Sequence, residues 1–147
     1  MFFERMPWGA VRMAFRLSSV RKANEWFTLL FGGGALFPSG EDSIWIYELK
    51  KHGLRIYLSD KTVGEVSYKR STWFSGYDER FFFGKGAYCK AEHPKSARIR
   101  MIYYAWRYRR RGNLSHKEKK KWMKIGFKAY RDLSDFDSYF ERSERCV

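Results

Sequence analysis

SIWIYELKKHGLRIYLSD, residues 43–60, decides how the chain is read. Ile44, Ile46 and Glu48 alternate with Trp45, Tyr47 and Leu49, and Leu54, Ile56 and Leu58 alternate with Arg55 and Tyr57. A period of two built from β-branched and aromatic residues is the pattern of a half-buried strand. His52-Gly53 between the two runs suits a tight turn, because glycine accepts a positive φ. The stretch therefore predicts a β-hairpin. VGEVSYK (63–69) extends it as a third strand, and RFFFG (80–84) with GAYCKA (86–91) adds a further pair around Gly84 and Gly86.

The regions on either side have a helical period. Ser18 or Ser19 can cap a helix through VRKANEWFTLLF (20–31), where Val20, Ala23, Phe27 and Leu30 share a face and Gly32 to Gly34 end it. Pro7 opens an earlier turn or helix carrying Val11 and Phe15. PSGED (38–42) reads as a loop. From Pro94 onward Ile99, Ile102, Tyr103 and Trp106 occupy i, i+3, i+4 and i+7, with Gly112 placed as a stop signal. Ser115-x-x-Glu118 is a capping box, opening a helix with Trp122, Ile125, Ala129 and Leu133 as its apolar stripe. Ser134 with Asp137 suggests one more cap. The expected fold is α+β: a single domain over 1–147, with an N-terminal helix, a small antiparallel meander and a basic helical region from about 94 to 133.

The 147 residues are 44% hydrophobic and 20% aromatic, enough to bury a core. The formal charge is +14, and its distribution is uneven. Between Lys95 and Arg131 stand 14 Lys/Arg and one acid, Glu118, a net +13; the rest of the chain carries +1. Charge concentrated in one quarter of a sequence points to a localised surface for a polyanion rather than to a general solubility device.

That surface is the main functional expectation: binding to nucleic acid, DNA or RNA, mainly through phosphates. At 100° per residue, Lys117, Lys121, Lys124, Lys128 and Arg131 fall in one narrow sector, with Lys120 beside it, following the cluster Arg107, Arg109, Arg110 and Arg111. The outward face is nearly all lysine and lacks the Asn, Gln, Ser and Arg side chains that read base edges, so the expected binding is sequence-tolerant and salt-dependent. Tyr104 and Tyr108 are the candidates to stack on unpaired bases, while Trp106 shares the apolar face of its helix and is assigned to the core. A solvated lysine face is the plainer account of the same residues. Two features favour a polyanion site over it: the stripe has almost no interleaved acid, and it adjoins the arginine cluster. The runner-up is an interaction module that docks its basic face on an acidic protein.

Asp42 followed by Glu48-Leu49-Lys50 on the expected strand resembles the D…(D/E)-x-K pattern of restriction-type nucleases, where carboxylates hold a divalent ion and the lysine steadies water. A surface strand explains the same residues, and a binding protein is favoured over an enzyme. Asp78-Glu79 near His93 is a weaker acid cluster. RFFFGKGAY (80–88) has neither the Walker spacing nor the Rossmann fingerprint. Cys89-x3-His93 is half a metal-ligand spacing with no second half, so no metal or cofactor is expected. Two distant cysteines, Cys89 and Cys146, are no disulfide framework and point to a reducing compartment, cytoplasmic or nucleoid/nuclear. The longest apolar stretch, WFTLLFGGGALF (26–37), is too short and too broken by glycine to span a bilayer, and residues 1–19 lack the order of a secretory signal.

Overall fold

The computed structural model describes residues 13–62, 64–65 and 74–133. Among these the protein is helical, with five helices and no strand; an isolated bridge joins Phe31 and Phe37. The expected α+β class with its antiparallel meander is therefore corrected to all-α. The helices are α1 (Leu17–Ala23), α2 (Glu41–Lys51), α3 (Glu79–Glu92), α4 (Ala97–Arg107) and α5 (His116–Asp132). The chain forms two compact units, Met1–Thr28 with Glu41–Ser71 and Leu29–Gly40 with Thr72–Val147.

In the first unit the hairpin is replaced by a helix and its cap. Glu41 and Asp42 lie in the first turn of α2 and Lys50 and Lys51 in the last, each sign placed to suit the helix dipole. Gly53 has the positive φ that the sequence asked for, +79°, but it ends a helix instead of turning a hairpin. The Gly53 N–H donates to the Lys50 carbonyl and the Leu54 N–H to the Leu49 carbonyl, each at 3.0 Å. This is the paired 5→2 and 6→1 bonding of a Schellman cap, and Leu54 packs against the cluster that contains Leu49, the hydrophobic contact that often accompanies the motif. Trp45, Ile46 and Leu49 are buried on one side of α2 with Val20 of α1. The Trp45 indole N–H donates to the Glu25 carbonyl at 3.2 Å, and the Phe27 ring stacks on it at 4.3 Å. Beyond the cap no strand forms among the described residues, and Tyr57 and Leu58 are exposed. The expected third strand falls largely outside the described residues, as do the turn at Pro7 and the cap at Ser134.

The first helix is also shorter than expected. It stops at Asn24, which takes the left-handed conformation (φ 53°) that asparagine tolerates better than most residues. Its N-cap is Arg16, with no side-chain cap bond, rather than Ser18 or Ser19.

In the second unit, the expected strand pair around Gly84 and Gly86 is the body of α3. Asp78 starts the helix: its carboxylate accepts from the Phe81 N–H at 2.8 Å, and the Ser75 hydroxyl donates to it at 2.7 Å. The glycines are packing positions. A Cβ on Gly86 would overlap the Met123 carbonyl of α5, and one on Gly126 of α5 would overlap the Phe83 carbonyl of α3. Each helix thus offers a glycine to the other's backbone. Two helix-interior glycines cost about 1 kcal/mol each relative to alanine, which this close approach offsets. Gly84 receives Pro38, while Phe37, fully buried, meets the rings of Phe83 and Tyr130.

Helix α4 completes the unit where a helix is expected, but it is shorter than expected: Pro94 lies in the turn before it rather than in its first turn, and it ends at Arg107, well before Gly112. Its buried face differs too. Ala97 and Ala105 are buried and Met101, Tyr104 and Tyr108 pack on the core formed by Phe82, Ala105 and Met123. Ile99, Ile102 and Trp106 lie on the opposite side, 59%, 60% and 56% exposed. The assignment of Trp106 to the core is overturned.

Candidate nucleic-acid interface

The α5 helix is held as its sequence specifies. The Glu118 N–H donates to the Ser115 hydroxyl at 3.2 Å and the Ser115 N–H to the Glu118 carboxylate at 2.8 Å, the reciprocal capping box. These bonds hold the Glu118 carboxyl below its ordinary range. The buried residues of α5 are Lys119, Met123, Gly126 and Ala129. This face is rotated by roughly 60° from the expected apolar stripe, because the Gly126 contact rather than Ile125 sets the seat on α3. It stands directly opposite the lysines. Lys117, Lys121, Lys124, Lys128 and Arg131 are exposed, and Lys120 is half-buried. Among the described residues no carboxylate lies within ion-pair distance of Lys117, Lys121, Lys124 or Lys128, whereas Arg131 pairs with Asp132 at 2.8 Å.

The arginine cluster leaves the helix. Arg107 ends α4, and Arg109, Arg110 and Arg111 occupy successive turns, with the Arg109 N–H donating to the Trp106 carbonyl and the Arg111 N–H to the Tyr108 carbonyl. All four are exposed. Gly112, at φ +66°, closes the turn against the Tyr77 carbonyl, where no side chain fits.

Lys119 holds this turn from inside. It is fully buried, and its ammonium donates to the carbonyls of Tyr108 at 3.0 Å, Arg109 at 3.2 Å and Arg111 at 2.7 Å. Three donors meet three acceptors at the C-terminal end of α4, where the helix dipole favours a cation. The Phe82 ring lies 5.6 Å from the same nitrogen. Sequence reasoning left Lys119 out of its candidates. The signal was present: the helical wheel puts it in phase with Met123 and Gly126, on the wrong side for a solvated lysine.

Tyr104 and Tyr108, the expected stacking residues, are half-buried and stack on one another at 6.1 Å. Burial pushes both hydroxyls above the ordinary tyrosine range. Trp106, in contrast, is exposed with the Arg109 guanidinium 4.6 Å from its ring centre.

A second polar group missed by sequence reasoning lies between α3 and α4. The Lys85 ammonium is 4.6 Å from the Tyr88 ring, 5.3 Å from Tyr104 and 5.8 Å from Phe81, and burial lowers its pKa. Glu92, 6% exposed, pairs with Arg100 at 3.1 Å; burial raises its carboxyl above the usual range. Burial also pushes the Cys89 thiol up to about 12, which leaves it protonated and unreactive at neutral pH. His93 lies 3.4 Å from Glu92 and caps α3.

The nuclease-like residues are not gathered in the expected way. Asp42, Glu48 and Lys50 lie on α2, not on a strand. Glu48 and Lys50 are roughly 200° apart around that helix, so they face opposite sides, and Glu48 pairs with Lys51 at 2.6 Å. Among the described residues no group of three or more His, Cys, Asp or Glu side chains is arranged to hold a metal ion. No helix among them is long and apolar enough to cross a membrane.

Fold and surface together define a small helical protein with a basic face on α5 and an arginine turn at the end of α4. The chain matches no protein-family model, no curated protein and no solved structure.

Proposed function

We propose that the protein binds nucleic acid mainly through phosphate contacts, with little sequence specificity. The observation that carries this reading is the exposed row Lys117, Lys121, Lys124 and Lys128, diametrically opposite the buried face of α5 and forming no ion pair with a described carboxylate. Four ammonium groups in one sector repel one another, a cost that a polyanion removes by taking up their charge and releasing its own counterions. The turn Arg107 to Arg111 adds guanidinium groups suited to bidentate phosphate contact. Flexible lysines on a solvent-facing helix side hold a phosphate track without registering base edges.

Replacing Lys117, Lys121, Lys124 and Lys128 together with Gln tests the reading. The variant keeps the capping box and the buried face, so its circular dichroism should match the parent. Its affinity for a mixed-sequence oligonucleotide should fall steeply, and the slope of log affinity against log salt should flatten by several units, nearly one for each phosphate left unneutralised. Unchanged affinity and slope would sink the proposal. Binding that survives in salt high enough to strip oligonucleotides, and only to one acidic protein, would replace it with the docking-module alternative.

A further inference from the structure

Helix α4 has two apolar sides, and only one is used by the core. Ala97, Met101, Tyr104, Ala105 and Tyr108 face inward; Ile99, Ile102 and Trp106 form a row about 10 Å long on the outward side. The chain segment that carries this row is basic. No carboxylate occurs between Glu92 and Glu118, and Lys95, Arg98, Arg107, Arg109 and Arg110 are exposed. Arg109 lies over the Trp106 ring at 4.6 Å, and the Tyr103 ring sits 6.4 Å away, tilted by 35°.

We infer that Trp106, with Arg109 on one face of its ring and arginines around it, is a stacking platform for an unpaired base, so that the preferred ligand is single-stranded nucleic acid. This inference rests on the phosphate-binding reading and adds a class of ligand to it. An indole is a broad, sequence-tolerant partner for any base, and a neighbouring guanidinium adds a charge contact to the backbone that carries the base. Ile99 and Ile102 offer flat apolar contact along the path of the strand. The bases of an intact duplex are stacked on each other and present only their edges, so the ring has nothing to stack on there. A lipid surface fits less well. Inserting the row into acyl chains drags the Arg109 guanidinium with the indole, and three residues give a far narrower apolar face than an interfacial helix presents.

The test compares the parent, Trp106→Ala and Trp106→Phe as full-length chains. Binding is read by fluorescence anisotropy with a single strand of roughly twelve nucleotides, within the ~4–16 nucleotide sites of strand-binding folds, and with a duplex of equal length. Because Trp106 is exposed, all three should fold alike, which circular dichroism checks. Trp106→Ala should weaken single-strand binding ~5- to 100-fold, leave duplex binding unchanged and recover most of the loss as Phe. If Trp106→Ala binds both ligands as the parent does, the platform is refuted while phosphate binding stands. If the parent binds neither ligand, both readings fall. Vesicles of phosphatidylserine and phosphatidylcholine give the remaining arm. A tryptophan emission shift with vesicles that is lost in Trp106→Ala, and absent with the oligonucleotide, assigns the row to lipid and overturns the inference.

Discussion

Replacing Lys119 with methionine removes a single charge that an outside ligand never meets. Methionine keeps most of the apolar stem and its packing beside Phe82, so the change isolates the ammonium and its three bonds to the carbonyls of Tyr108, Arg109 and Arg111. A hydrogen bond from a charged donor contributes about 1.5–3 kcal/mol net, and the gross loss over three would exceed 4 kcal/mol. Two effects reduce it. Arg109 and Arg111 are exposed residues, so water can take up part of their carbonyls' demand. The variant also no longer desolvates an ammonium. A net loss of about 3 kcal/mol follows, and with a urea slope of ~1.5–2 kcal/mol/M the unfolding midpoint should drop by ~1.5–2 M. Lys119→Arg should not rescue it, since a longer planar head has no room at a fully buried site. In oligonucleotide binding, Lys119→Met should leave the salt slope where Lys121→Gln lowers it by nearly one, because only the exposed lysine displaces counterions. A midpoint within a few tenths of a molar of the parent would refute the buried clamp.

The glycine crossing and the capping box give two further expectations. Gly126→Ala gains about 1 kcal/mol of helix propensity but drives a Cβ into the Phe83 carbonyl, a backbone atom that cannot step aside; overpacking of ~1–3 kcal/mol should outweigh the gain and lower the melting temperature. Gly33→Ala, which meets open space at an ordinary φ, should not lower it. Because the folded pKa of Glu118 is depressed, its contribution is present above the ordinary value of 4.5 and is lost as pH falls through the lower folded value. Urea titrations across that range should show a loss that Glu118→Gln lacks, and Ser115→Ala should cost about 1 kcal/mol at neutral pH.

Local signals specify α5 because they agree: a capping box, a sustained 3.6-residue period and a lysine sector opposed to it. At α2 two structures share a local signature. A hairpin turn and a Schellman cap both place a positive-φ glycine after a polar residue, and Ile-Trp-Ile-Tyr-Glu-Leu satisfies a period of two as readily as it offers Trp45, Ile46 and Leu49 to one helix face. The acid-first, base-last order of α2 was the deciding clue. In α3 the aromatic and glycine run has the local preference of strand-turn-strand, and the opposing preference comes from Gly126, some forty residues away, to which no local window refers. For α4 the period was readable but the side was not. Small alanines beside tyrosines allow closer approach to α3 than isoleucine and tryptophan do, so packing chose the less hydrophobic face. The lysine row of the candidate site was readable for the same reason as α5, while the clamp by Lys119 depends on where the arginine turn ends.

The outward row of Ile99, Ile102 and Trp106 also bears on how molecules of this protein meet one another. A charge of +14 keeps copies apart at low ionic strength, so three exposed apolar side chains ringed by arginine seldom touch a second copy. Raising the salt shortens the range of that repulsion to a few ångströms and strengthens apolar association at the same time. The conditions that strip a polyanion from the lysine face are therefore those in which the protein has most reason to adhere to itself. A bound strand would act as a colloidal stabiliser, covering the adhesive row while it neutralises the charge around it.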